Sequence, residues 1–160
     1  MYAQGLLCAL SVLCGKKPSR FWRLSMADIV RVTRDVAVRL IEEARRVPKE
    51  ECCGLLVGRD GVISTLYPAK NALASATAYE IAPEEIFRLM RQIREAELQL
   101  LGIYHSHPAG ENRPSARDIE QAYYPDAAYF ILSPAPDAAR PVRAFSIRNS
   151  LASELLIEVL

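Results

Sequence analysis

Two histidines are the only ones in the chain, and both fall in Tyr104-His105-Ser106-His107-Pro108. At i and i+2 on an extended segment, their rings point to the same face. Asp118 adds a hard oxygen eleven residues beyond His107. Two imidazoles and one carboxylate suit zinc and leave a fourth position open for water, which is the arrangement of a catalytic rather than a structural site. A plainer reading stands beside it: a strand end running into a turn, with Ser115-Ala-Arg-Asp118 as a helical capping box.

A hydrolytic metal site also needs a proton acceptor and a donor for the developing oxyanion. Glu51 is the best candidate base, because it precedes the apolar run Cys52-Cys-Gly-Leu-Leu-Val-Gly58, where a side chain can be half buried and still face a cleft. Position and composition alone favour a solvated helix-to-strand link for Glu50 and Glu51. The adjacent thiols Cys52 and Cys53 point to opposite faces of a strand, which argues against a disulfide framework and for packing as small hydrophobes in a reducing compartment.

The elements that must position these residues follow from periodicity. A strand over Asp28–Val32 leads into a helix capped by Thr33, with Val36, Leu40, Ala44 and Val47 at helical spacing and Pro48 as its stop. Arg59-Asp-Gly61 turns the Cys52–Gly58 strand into a partner over Val62–Tyr67. Asn71–Ala78 reads as a loop and Tyr79–Ile81 as a brief strand. Pro83 opens a second helix whose buried face is Ile86, Leu89, Met90, Ile93 and Ala96. The strand Leu100–His107 carries the histidines. A third helix is expected over Ser115–Tyr124, then strands at Ala128–Ser133, Val142–Arg148 and Glu154–Leu160. Such mixing of elements implies an α/β fold: a single domain with a central mixed β-sheet flanked by helices. Strand order stays open.

At 160 residues with 51% hydrophobic content, the chain can bury one substantial core. A formal charge of +1 gives no stripe for nucleic acid and no acidic tail; Arg91, Arg94, Arg113 and Arg117 read as solvated. Residues 1–25 are apolar at their start, but Lys16, Lys17, Arg20 and Arg23 come after the apolar run, the wrong order for a signal peptide. The run is also short for a membrane span. These residues are expected to be a dispensable extension or an upstream start, with the domain itself over 26–160. A zinc nucleoside deaminase would need His-x-Glu and Pro-Cys-x-x-Cys, and neither occurs.

Glu51 before Cys-Cys-Gly-Leu-Leu-Val-Gly, then His105-Ser-His107-Pro, then Pro114-Ser115-Ala-Arg-Asp118, resembles the JAMM metalloprotease motif of the JAB1/MPN/Mov34 domain family, in order from about Ile29 to Leu160. The resemblance implies the layered JAB1/MPN fold and one zinc ion per chain, held by His105, His107 and Asp118. It further implies Glu51 as general base and Ser115 as a donor to the oxyanion. Members cleave peptide or isopeptide bonds after the Gly-Gly tail of ubiquitin-like proteins. Compact size and short loops look like the small bacterial branch, similar to hydrolases acting on sulfur-carrier proteins. The expected partner is such a Gly-Gly-tailed carrier in the cytoplasm, with neither nucleic acid nor membrane, and a homodimer left open. The alternatives are a non-catalytic scaffold, which would normally lack part of the metal set, and a general zinc peptidase.

Overall fold

The computed structural model describes residues 29–160, so the extension expected over residues 1–25 lies outside the described residues. Strand β1 (Ile29–Val32) runs directly into helix α1 (Arg34–Arg46). Thr33 holds the N-cap position with extended backbone, yet its side chain makes no capping bond. A first-turn donor is met from outside the helix instead, by Arg34 N donating to Leu160 O at 3.1 Å. Val36, Leu40 and Ala44 are buried as their spacing requires. Pro48 lies two residues beyond the last helical residue, where its ring and missing N–H stop the helix from resuming.

Strands β2 (Cys53–Arg59) and β3 (Val62–Ala69) form a hairpin. Its central residues Asp60 and Gly61 have φ of 52° and 75°, the left-handed pair whose twist matches that of the flanking strands. The strand expected over Tyr79–Ile81 reduces to a single bridge between Asn71 and Ile81. Helix α2 (Pro83–Glu95) buries Leu89 and Ile93, with Ile86 and Met90 packed at the margin. Ala96, expected on that buried face, is its exposed C-cap.

Strand β4 (Gln99–Ser106) leads to the short helix α3 (Ala116–Glu120), half the stretch expected. Pro125 disfavours helical geometry at Tyr124, and Tyr129 Oη accepts from Tyr124 N at 3.0 Å, holding that backbone outside a helix. Strands β5 (Ala128–Leu132), β6 (Val142–Arg148) and β7 (Leu151–Val159) complete the chain. The last begins at Leu151 rather than Glu154 because Asn149 and Ser150, at φ of 50° and 60°, make a tight left-handed turn out of β6.

The sheet is mixed, as its composition of elements implies, and it closes into a barrel in the order β1-β3-β2-β4-β5-β6-β7. Parallel pairs join β1 to β3, β4 to β5, and β7 back to β1. Closure leaves no unpaired edge along the strands. One apolar cluster draws on every strand, through Val32, Leu56, Ile63, Tyr104, Phe130, Ala144 and Leu155, and on α1 through Val36, Leu40 and Ala44. A cluster that unites all strands is the barrel interior. Leu55, Val57, Ile103, Tyr129, Ile131 and Phe145 form the outer layer beneath α2. Successive residues of β2 thus go to opposite layers, which is why its apolar run has no polar face. Cys52 and Cys53 divide the same way, both buried and free.

Candidate metal centre

The centre sits where β4 ends. Tyr104 and Ser106 turn inward, so His105 points to the outer layer and is only 1% exposed. His107 follows the last strand residue, but its N–H still donates to Leu132 O at 2.8 Å, continuing the ladder to β5. The two rings therefore share a face, as their spacing implies, and His105 Nε2 lies 3.0 Å from His107 Nε2. Asp118 Oδ1 is 3.2 Å from His105 Nε2, and Oδ2 is 3.4 Å from His107 Nε2.

His107 Nδ1 lies 2.7 Å from Glu111 O, a carbonyl that can only accept. The proton is thereby placed on Nδ1, and Nε2 presents its lone pair to the centre. His107 Nε2 and the Asp118 carboxylate are then acceptors converging on one point, an arrangement that favours a cation. One ligand atom from each of the three residues fits within 4.8 Å. Metal–ligand bonds of about 2.0–2.1 Å place tetrahedral donors about 3.3 Å apart, close to the separations found. The donor set fits zinc.

Electrostatics agree with the geometry. Burial would raise the Asp118 carboxyl, but the adjacent His105 and His107 imidazoles and the hydrogen bond from Ser115 hold it well below the usual carboxylate range. Burial lowers His105. For His107 burial acts the same way and is outweighed by Asp118, the Glu111 carbonyl and Glu51, so its pKa rises.

Glu51 reaches the site by register. Cys53 pairs with His105 across β2 and β4, and Ser106 N donates to Cys52 O at 3.0 Å. Continued one residue further on each strand, that register sets Glu51 opposite His107, and opposed residues of an antiparallel pair share a face. Glu51 is 4% exposed, whereas Glu50 is only half-buried. Burial pushes the Glu51 carboxyl up to about 7, with His107 and Arg117 opposing and Asp118 adding to the rise.

The capping box, the plainer reading of Ser115-Ala-Arg-Asp118, is present, and it leaves one Asp118 oxygen facing the histidines. Ser115 Oγ accepts from Asp118 N at 3.2 Å, while Asp118 Oδ2 accepts from Ser115 N at 2.7 Å and from Ser115 Oγ at 2.6 Å. Oδ1 remains turned to His105. Since the single hydroxyl proton of Ser115 is directed at Asp118, donation to an oxyanion requires that hydroxyl to rotate.

Two neighbours of the centre escaped the sequence reading. Tyr79 stacks on His105, with centroids 4.5 Å apart and planes at 21°. Asn71, buried, bonds the backbone of Glu51. A lone aromatic or amide in a loop carries no spacing signal that could reveal either. Beside the centre, with Tyr79 as a shared wall, lies a cavity of about 380 Å³ lined by Ile86, Met90, Tyr123, Tyr124 and Tyr129. Its lining includes none of the three converging side chains.

The family model for prokaryotic homologs of the JAB domain matches residues 33–148. A desampylase of Haloferax volcanii is 38% identical over 96 residues, which cover 58% of this chain and 69% of the relative. A CysO-cysteine peptidase of Mycobacterium tuberculosis is 30% identical over 130 residues, 80% of this chain and 89% of the relative. The solution structure of a Desulfitobacterium hafniense protein superposes with a TM-score of 0.72 at 31% identity, covering 82% of this chain and 92% of the other. Fold and site thus define a JAB1/MPN-type domain with a His-His-Asp cluster at a strand end. This chain belongs to the prokaryotic JAB family. Among the described residues no helix is long and apolar enough to cross a membrane.

Proposed function

We propose that this protein is a zinc-dependent hydrolase that cleaves the peptide or isopeptide bond after the C-terminal Gly-Gly of a ubiquitin-like or sulfur-carrier protein. The observation that carries this reading is the convergence of His105, His107 and Asp118 beside the buried carboxyl of Glu51. Support for the substrate class comes from the relatives, a desampylase and a CysO-cysteine peptidase by name. In this reading the functional domain spans 26–160, holds one zinc per chain and works in the cytoplasm, in keeping with its two free buried thiols.

His105, His107 and Asp118 would hold the zinc, which would supply Lewis acidity toward a carbonyl oxygen and a bound water. Glu51 accepts a proton from the attacking water and returns it to the leaving amine. Burial raises that carboxyl's proton affinity in the metal-free chain, which suits a group that must take up a proton and give it back. Ser115, by rotating its hydroxyl away from Asp118, donates to the carbonyl oxygen as charge builds there. His107 is oriented throughout by the Glu111 carbonyl. Two glycines suit a tail that must lie flat against backbone, and most binding energy then comes from the carrier surface, remote from the reacting bond.

Mass spectrometry of Gly-Gly-tailed carriers, bearing either one C-terminal residue or an isopeptide-linked lysine, tests the proposal. The wild-type chain should release intact carrier ending in Gly-Gly. Glu51→Gln keeps the size and removes the proton acceptor, so turnover should fall by about 10²-fold to 10⁴-fold. Rapid hydrolysis of unrelated peptides with no carrier cleavage would instead identify a general zinc peptidase.

A further inference from the structure

Asn71 is 7% exposed and lies outside every strand and helix, yet its carboxamide makes all the bonds its four polar valences allow. Nδ2 donates to Glu51 O at 3.1 Å and to Ala78 O at 3.0 Å. Oδ1 accepts from Leu73 N at 3.0 Å and from Glu80 N at 3.2 Å. A flipped amide would set oxygen against two carbonyls and nitrogen against two N–H groups, so the orientation is determined by its partners.

Those partners flank the centre. Ala78 and Glu80 are the residues on either side of Tyr79, whose ring stacks on His105. Glu51 is bound through both of its backbone polar groups to the same loop: its carbonyl to Asn71, and its N–H to Ser75 O at 2.8 Å. The loop is closed on itself by Ala72 N donating to Glu80 O at 2.8 Å. A single side chain therefore ties the residue that bears the carboxyl to the residue that backs the metal-ligand ring.

We infer that Asn71 is a positioning residue, which holds the backbone of Glu51 against the loop that carries Tyr79 and acts on turnover through the Glu51 carboxyl. The inference rests on the proposed role of Glu51 as general base. It touches neither substrate nor metal, so its loss should lower kcat while leaving KM and zinc content close to wild type. Misplacing a reacting group by about 1 Å is enough to cost about 10²-fold.

The experiment is a double-mutant cycle on the CysO–cysteine conjugate that gives the mycobacterial relative its name, with zinc content and thermal midpoint measured on every sample. Asn71→Ala removes all four bonds. Asn71→Asp keeps the two accepted bonds that hold the loop and loses the two donated ones, so it serves if Asn71→Ala does not fold. The expected result is a fall in kcat of about 10²-fold for a folded, zinc-loaded variant, and no further fall when either change is added to Glu51→Gln. Folded Asn71→Asp with kcat within about threefold of wild type, or a fall that multiplies with that of Glu51→Gln, overturns the inference. Glu51→Gln with full activity defeats the base assignment instead. A wild-type chain inactive on the conjugate defeats that substrate reading, and crystal structures of wild type and Asn71→Asp then decide: displacement of the Glu51 carboxyl and Tyr79 ring supports positioning, and an unmoved pair overturns it.

Discussion

Glu51 serves two opposed ends. Burial that readies it for proton transfer also makes its ionised form costly in a chain stripped of metal. Its folded-state pKa of about 7 lies above the ordinary 4.5, so the stability tied to the neutral carboxyl is whole below pH 4.5 and lost as pH rises through about 7. Glu51→Gln should therefore be more stable than wild type in the chelated chain at pH 8, and the advantage should shrink toward pH 4.5. The scale is about 3 kcal/mol, at about 1.4 kcal/mol for each tenfold change in proton affinity. Urea denaturation of both chains at several pH values measures it, and curves that stay parallel across that window would contradict the assignment. His105, His107 and Asp118 are legible as a cluster from sequence because all three sit on one strand end and the helix start just after it. Glu51 needs a long-range strand pairing to reach them, and without the family resemblance its position looks like an ordinary solvated link. Tyr79 and Asn71 leave no such trace.

At the scale of elements, β2 and β4 hold the site through close backbone approach. Gly54, one residue into β2, faces Tyr104, which is fully buried and precedes His105. A Cβ at Gly54 would meet the carbonyl of Tyr67 and lie 2.6 Å from Tyr104 Cε1. Gly54→Ala should destabilise the chain by about 1–3 kcal/mol, the usual cost of overpacking a core. Chemical denaturation should show a lower midpoint with unchanged slope; a midpoint equal to wild type would mean that Tyr104 moves aside freely. Helix faces and the β2–β3 hairpin are legible because they rest on local period and on Asp60-Gly61. The end of α3 and the start of β7 are displaced by Tyr129 reaching Tyr124 and by the left-handed Asn149-Ser150 pair, the first a tertiary contact and the second a turn hidden in plain polar residues.

For the whole molecule, closure of the sheet is what no local pattern announces. Its parallel joins of β1 to β3 and β7 link segments far apart in the chain, and alternation looks the same whichever strand lies alongside. What periodicity does convey is that β2 and β5 are apolar on both faces, hence interior to a layered α/β structure. Since the family match starts at residue 33 and β1 at Ile29, a chain beginning at Met26 should unfold at the same temperature and turn over at the same rate as the full chain. A lower midpoint or rate would give residues 1–25 a role in the domain. In the proposed function, hydrolysis requires a zinc ion held by His105, His107 and Asp118. Elemental analysis of protein purified without added metal, made on the same samples whose carrier cleavage is measured before and after chelation, tests it directly. About one zinc per chain is expected, with loss of cleavage on its removal and return on adding zinc. A fully active chain that contains no metal would contradict it.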